Sequence, residues 1–193
     1  MSANPLSVLM VCTGNICRSP LAEQLLQTRL AAAGVPATVT SAGTRAVVGH
    51  PMTPEAAALA ILYGAAPLIH AATQLTPELV AAADLVLTAT REHRSEAVAL
   101  HPRAARYAYT LNQFARLVDA IPPTPSADQE AITAYLSEVS ATKGLTPPPH
   151  DLADDDIEDP YRQSEEIYDR VAHSIDDAVT TITTALAATT VRL

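Results

Sequence analysis

The sequence predicts an α/β fold built on a parallel sheet. Three observations predict it. Short apolar runs suited to buried strands recur at residues 6–11 (LSVLMV), 37–42 (ATVTSA), 84–89 (DLVLTA) and 107–111. Between them lie segments with helical spacing of apolar residues, each with its own start and stop signals. Finally, 193 residues of which 48% are hydrophobic suffice to bury one ordinary core. With one Phe and no Trp, that core is built from Ala, Leu, Val and Ile.

In chain order, the run 6–11 is too short for a helix and leads into the loop Cys12-Thr13-Gly14-Asn15-Ile16-Cys17-Arg18-Ser19. Ser19-Pro20-Leu21-Ala22-Glu23 reads as a helix start, with Ser19 as cap, Pro20 in the first turn and Glu23 complementing the dipole. Leu21, Leu25, Leu26 and Leu30 keep helical spacing until Gly34 ends the segment. A second strand closes at Gly43. Thr53-Pro54-Glu55 opens a helix that runs to Tyr63 and stops at Gly64, and Thr76-Pro77-Glu78 opens a short third one. After the strand at 84–89, residues 91–100 are predicted helical, and 107–111 is the fourth strand. Residues 121–150 break the alternation. Pro122-Pro123, Pro125 and Pro147-Pro148-Pro149 bracket Ile132, Tyr135, Leu136 and Val139, an inserted helix with Ser126 as its cap. Ile167, Val171, Ile175, Val179, Ile182 and Leu186 then mark an amphipathic closing helix over 164–188.

A net charge of −9 and a pI near 5 argue against non-specific nucleic-acid binding, which needs a basic footprint. Any anion must be captured by a local device. Two cysteines, Cys12 and Cys17, exclude a disulfide framework, and their scarcity suits a reducing cytoplasm. The start at residues 1–5 has no basic region of an export signal, and no apolar stretch approaches the roughly 20 residues needed to span a bilayer.

The strand–loop–helix order around Cys12 is such a local device. Between Cys12 and Arg18 the backbone can curl so that successive N–H groups form a nest for an oxyanion, with a helix N-terminus behind it. Gly14 supplies unusual backbone angles, Asn15 tolerates left-handed geometry, and Arg18 can clamp two oxygens with its planar fork. Donors and a helix N-terminus favour a thiolate, and a thiolate under a bound phosphate is a nucleophile aimed at phosphorus. The ordinary alternative is a buried strand-end thiol at Cys12 and a surface charge at Arg18.

The segment Val8-Leu9-Met10-Val11-Cys12-Thr13-Gly14-Asn15-Ile16-Cys17-Arg18-Ser19-Pro20 resembles the active-site signature of the low-molecular-weight protein tyrosine phosphatases. The likeness continues at Ser41-Ala42-Gly43-Thr44, at His70, at the strand from Asp84 and at Asp159-Pro160-Tyr161, in the family's order. It implies a three-layer α/β/α fold, Rossmann-like and phosphatase I-type, around a central four-stranded parallel sheet. It implies one domain over residues 1–193, carrying the helical insertion at about 121–150. The implied activity is hydrolysis of phosphotyrosine in a protein substrate, with no cofactor or metal, by a cytoplasmic monomer or weak homodimer.

The resemblance also assigns roles. Cys12 would attack phosphorus and form a phosphocysteine. Arg18 and the backbone of Thr13, Gly14, Asn15, Ile16 and Cys17 would hold the phosphate oxygens, and Asp159 would act as acid and then base. Ser19 would donate to the nucleophile. Asn15, Ser41 and His70 would brace the loop, although a cap, a turn residue and a surface histidine are their ordinary readings. Tyr161 would wall the cleft. Cys17 is either a resolving thiol for Cys12 or a small packing residue under the loop. Asp151, Asp154, Asp155, Asp156 and Glu158 crowd Asp159, and like charges nearby favour a protonated carboxyl. Those five also fit a solvated acidic loop. The remaining histidines, His50, His93, His101, His150 and His173, lack metal-ligand spacing and read as surface or packing residues.

Three features depart from the family. Arg45-Ala46-Val47-Val48 has no aromatic residue where many members wall the cleft. Arg162 follows Tyr161 where a second tyrosine is common. The insertion at 121–150 could cap the cleft, bind a partner or merely elaborate the surface. Two other functions compete. A thiol-coupled arsenate reductase would relay through further cysteines, and none follows Cys17. An inactive phosphate-binding module would have no use for an acid at Asp159.

Overall fold

A computed structural model of the chain describes residues 5–66, 68–126 and 130–189; the segment 1–4, read above for an export signal, and part of the insertion lie outside the described residues. Four strands, β1 (Leu6–Cys12), β2 (Ala37–Gly43), β3 (Leu85–Thr88) and β4 (Ala108–Thr110), pair in parallel in the order β2-β1-β3-β4. The helices are α1 (Arg18–Ala32), α2 (Pro54–Leu62), α3 (Pro77–Ala82), α4 (Arg91–Leu100), α5 (Leu111–Ala120), α6 (Ala131–Thr142) and α7 (Glu165–Ala188). None is long and apolar enough to cross a membrane.

Strand β1 explains the layers. Leu6, Val8, Met10 and Cys12 join one core with α1, α5 and α7, while Leu9 and Val11 join a second core with Val80 of α3 and Ala97 of α4. Successive side chains point to opposite faces, so a strand covered on both faces reads as an unbroken apolar run. The result is the predicted three-layer α/β/α sandwich. From β1 the chain goes to β2 on one side and later to β3 on the other. A crevice opens at the carboxyl ends of strands where the winding reverses, and Cys12 ends β1 there.

Local signals account for most boundaries. Thr53, Thr76 and Thr90 cap α2, α3 and α4 by accepting from the backbone N–H three residues on. Gly34 at φ 69° ends α1: its N–H bonds Ala31 O and that of Val35 bonds Leu30 O. Ser19, however, is not a cap. Helix α1 already begins at Arg18, and the Ser19 hydroxyl is committed to Cys12 and Asn15. Nor does Glu23 sit in the first turn; its carboxylate takes a hydrogen bond from Ser41 instead.

Helix α5 was not anticipated. Strand β4 passes into it without a loop, because Thr110 both ends the strand and accepts from Gln113 N–H at 3.1 Å. Its signal was the spacing of Leu111, Phe114, Leu117 and Val118, all buried. Helix α6 forms as predicted from the insertion, but Glu130 occupies its cap position, and Ser126 donates its N–H to Thr189 O at 2.9 Å. Residues of α6 face Leu6, Leu85 and Tyr107, at the amino ends of the strands. The helix therefore stands at the opposite end of the sheet from Cys12 and caps no cleft. Lys143 ties it down by donating to Ala105 O at 2.9 Å and Ala108 O at 2.7 Å, over the Tyr109 ring. Burial brings that ammonium down to about 8.

The register places Gly43 beside Cys12. A Cβ on Gly43 would stand 2.4 Å from the Thr13 carbonyl oxygen and 3.1 Å from Ala46 Cα. Neither backbone can retreat without moving the Cys12 loop. Gly43→Ala is expected to lower stability by about 2 kcal/mol in urea unfolding, the scale of a steric insertion into packed structure. A wild-type midpoint would contradict this close approach.

Candidate active site

The loop after β1 turns its carbonyls outward. Thr44 N–H bonds Cys12 O at 2.9 Å, Arg45 N–H bonds Thr13 O at 3.0 Å, Val47 N–H bonds Gly14 O at 3.0 Å and Thr53 N–H bonds Ile16 O at 2.8 Å. His70 Nε2 lies 2.7 Å from Asn15 O and is the donor, since a carbonyl only accepts. With these acceptors engaged outside, the N–H groups of residues 13–17 meet no acceptor among the described residues. Such a run of donors ahead of a helix N-terminus suits an oxyanion. Of the two candidates, the left-handed residue is Asn15, at φ 56°, and not Gly14.

Asn15 is buried and fully bonded. Its Nδ2 donates to Ser19 Oγ at 2.9 Å and Ser41 Oγ at 2.7 Å, and its Oδ1 accepts from Thr73 N–H at 2.7 Å. Ser41 passes its own proton to the Glu23 carboxylate, which lies 4.0 Å from His70 Nδ1. Burial raises the Glu23 pKa, against the opposing effects of Ser41 and His70. Ser41 and His70 thus both contact Asn15 on the loop's back, joined there by Glu23 and Thr73, which the sequence did not reveal.

Cys12 Sγ lies 2.9 Å from Ser19 Oγ. Ser19 Oγ also accepts from Asn15 Nδ2 at 2.9 Å, which leaves its own proton free to meet a thiolate at Cys12. Cys17 packs away from this contact, 3.5 Å from Thr53 Oγ1 and 3.6 Å from Tyr168 Oη. Burial pushes its thiol pKa up. Both thiols are free.

Arg18 reaches the site from the first turn of α1 and is 5% exposed. Its Nη1 donates to Ile157 O at 3.0 Å, and its Nη2 pairs with Asp159 Oδ2 at 3.0 Å. Its buried Nε has no partner among the described residues. The Asp159 side chain is 54% exposed and accepts from Tyr161 N–H at 3.3 Å. Gln163 N–H closes a turn on Pro160 O at 2.9 Å, with Arg162 left-handed at φ 62° and its guanidinium 5.1 Å from the centre of the Tyr161 ring. Cys12 thus pairs with Ser19, and Arg18 with Asp159, at the two ends of one loop.

The matching family model, "Low molecular weight phosphotyrosine protein phosphatase", covers residues 7–122. The chain belongs to this family. Among its relatives, Etp of Escherichia coli K12, a low molecular weight protein-tyrosine-phosphatase, is 44% identical over 96 residues, 50% of this chain and 62% of Etp. The chain thus matches less than two thirds of Etp. The probable low molecular weight protein-tyrosine-phosphatase EpsP of Ralstonia nicotianae is 35% identical over 137 residues, 70% of this chain and 92% of EpsP. The structure of Vibrio vulnificus Wzb in complex with benzylphosphonate superposes with a TM-score of 0.67 at 26% identity, covering 93% of this chain and 97% of that one.

In this family member, the expected loop of solvated acids holds for the exposed Asp151, Asp154 and Glu158, while Asp155 and Asp156 are enclosed in ion pairs. Asp155 pairs with Arg116, Asp156 with Arg91, Glu158 with Arg170 and Asp159 with Arg18. Asp151 caps a short 3₁₀ turn by accepting from Ala153 N–H at 2.8 Å. Asp155, Asp156 and Glu158, the acids nearest Asp159 in the chain, each have their own cation. Among the described residues no group of three or more His, Cys, Asp or Glu is placed to hold a metal ion.

His93 is the residue sequence reasoning missed. It is not on the surface but 4% exposed, with Nε2 2.8 Å from Thr13 Oγ1 and Nδ1 2.7 Å from Thr90 Oγ1. Thr90 Oγ1 also accepts from His93 N–H at 3.3 Å, so the ring is held between two hydroxyls. The family's loop is thus braced on a second side in this chain. Its only local signal was the Thr-x-x-His spacing at a helix start. Burial, with the nearby Arg18 and Arg45 charges, lowers the His93 pKa to about 4.

That shift sets an acid limit. Between pH 6.5 and about 4 the unfolded chain takes up a proton that the folded chain refuses. The stability from neutral His93 is complete above pH 6.5 and falls as pH drops through this window. Between pH 7 and 4.5, wild type is expected to lose about 2 kcal/mol more than His93→Gln in urea unfolding. Parallel losses in the two proteins would show that His93 takes a proton freely in the fold.

Proposed function

We propose that this protein is a protein tyrosine phosphatase that hydrolyses phosphotyrosine and other aryl phosphate monoesters through a phosphocysteine intermediate. The observation that carries this reading is the buried Cys12 sulfur at the mouth of an unengaged run of N–H donors, 2.9 Å from the Ser19 hydroxyl. The orphan Nε of Arg18 adds a donor that a bound anion would satisfy.

In the proposed reaction the phosphate sits on the N–H groups of residues 13–18. Arg18 exchanges Asp159 for phosphate oxygens, offering Nε and Nη2 while Nη1 stays on Ile157 O. The Cys12 thiolate attacks phosphorus, the bond to the phenolic oxygen breaks, and Asp159 protonates that oxygen. Water then attacks the phosphocysteine while Asp159 takes its proton, and Cys12 leaves as thiolate with the Ser19 proton directed at it. Preorganised donors do most of the work, because charge spreads over the equatorial oxygens in the transition state.

Tyr161, 44% exposed, offers the flat wall for a phenyl ring. The same reading takes residues 1–193 as one domain with α6 as an insertion, acting in the cytoplasm as a monomer or weak homodimer on phosphotyrosine proteins. The two free thiols suit that compartment.

Hydrolysis of aryl phosphates tests the mechanism. Cys12→Ser is expected to abolish turnover while inorganic phosphate still binds. Asp159→Asn should lower kcat/KM about 100-fold or more for phenyl phosphate, whose leaving group needs a proton, and far less for an activated dinitrophenyl ester. Full turnover by Cys12→Ser would sink the mechanism. A wild-type protein inert toward every phosphate monoester would point to a phosphate-binding module.

A further inference from the structure

The segment that delivers Asp159 is held at consecutive residues. Arg91, the first residue of α4, grips Asp156 from three atoms. Its backbone N–H donates to Oδ1 at 2.7 Å, its Nε lies 3.2 Å from both oxygens, and its Nη2 donates to Oδ2 at 3.0 Å. A carboxylate at a helix N-terminus, forked by an arginine, is a strong and directional contact. The next residue continues the attachment. Ile157 N–H bonds Ala89 O at 2.8 Å, just past β3, and Ile157 O accepts from Arg18 at 3.0 Å. Asp159 follows two residues later.

The neighbouring pairs differ. Glu158 and Arg170 meet with both side chains more than half exposed, and pairs of that kind hold little. Asp155 and Arg116 are more enclosed, but they fasten the loop to α5, away from the strand ends. Of these three pairs, Arg91–Asp156 is the one at the first residue of α4, beside the end of the sheet that also carries Cys12.

We infer that the Arg91–Asp156 pair positions the general acid, fixing the loop so that the Asp159 carboxyl meets the leaving oxygen of a phosphate held by Arg18. The inference rests on the reading of Asp159 as the acid. Arg91 and Asp156 touch neither nucleophile nor phosphate site, so they act through Asp159. Their loss then weakens proton donation and leaves anion binding alone.

The dependence on leaving group separates this role from general support of the fold. In Asp156→Ala, kcat/KM for phenyl phosphate is expected to fall about tenfold, because misplacing an acid by about an ångström forfeits much of its contribution. For the dinitrophenyl ester the fall is expected to stay within about twofold, as is the change in inhibition by inorganic phosphate. Asp156→Asn keeps an acceptor for the Arg91 N–H and should recover most of the loss. Arg91→Gln, assayed on the same substrates, carries the test if Asp156→Ala fails to fold. Equal losses on both esters, or a lower melting temperature with unchanged kinetics, would overturn the inference. Asp159→Asn runs alongside: if it shows no preference between the esters, the acid assignment fails and the positioning role falls with it. A preference in Asp159→Asn that is missing in Asp156→Ala overturns the positioning role alone.

Discussion

Asn15 stands at φ 56° and makes four hydrogen bonds, three through its side chain and one through its carbonyl. The left-handed turn is what directs the loop's N–H groups to one side, and a residue other than glycine holds it at a cost of about 1 kcal/mol or more. A glycine would remove that cost and with it every side-chain bond. Those bonds reach Ser19 in α1, Ser41 in β2 and Thr73 in the connection before α3. The first of them also holds the Ser19 hydroxyl that lies 2.9 Å from Cys12 Sγ. One residue therefore braces both the shape of the anion site and the neighbour of the sulfur.

Arg18 is the second joint. Its guanidinium is buried, and a buried cation without partners would be very costly. Ile157 O and the Asp159 carboxylate satisfy it from a segment 139 residues along the chain, as counted to Ile157. The loop at the N-terminal end of the chain and the acidic segment near the C-terminal end are thus held by the same side chain. An anion in the nest would compete for that guanidinium, so occupation of the site and release of Asp159 are linked by simple exchange of partners. The Arg91–Asp156 contact matters here because a carboxylate released by Arg18 stays near only if its main chain is held elsewhere.

The parts of this design that lie in one short segment were legible. Cys12, Arg18 and Ser19 share a strand–loop–helix unit, and the apolar run of β1 carries its two-sided burial in plain sight. Asp159 had no comparable local signal and rested on a family resemblance. Helix α5 escaped notice because Thr110 serves strand and helix at once and no turn residues separate them. His93 looked like one more polar residue on a helix. Its burial depends on Thr13 and Thr90 arriving from either side, and sequence spacing shows only the second. Gly14 and Asn15 both read as candidates for unusual backbone, and the left-handed turn falls on Asn15 alone of the two, because the rule for glycine describes tolerance and not need. The acidic segment was misread in part for a related reason: Arg18, Arg91, Arg116 and Arg170 come from three other helices and from α7, and no sequence period announces them.

The cleft walls show how backbone and side chain divide the work. Opposite Tyr161, the segment after β2 is locked to the loop by its main chain, through the N–H groups of Thr44, Arg45 and Val47. Those bonds do not depend on side-chain identity, so this position can change its wall without disturbing the nest. This segment carries Val47 and Val48 and no aromatic residue, with Val48 65% exposed. On the other side, Tyr161 is held in a turn that forces Arg162 left-handed, and the Arg162 guanidinium lies near its ring. Such a contact steadies an exposed aromatic side chain by about 0.5–1 kcal/mol. On the proposed reading, Tyr161 is one wall of the cleft and this short aliphatic segment the other. Two valines offer less contact to a planar group than an aromatic side chain would. The phosphate end of a substrate is then gripped by the backbone of the loop and Arg18, while the ring end meets one firm surface and one that leaves room.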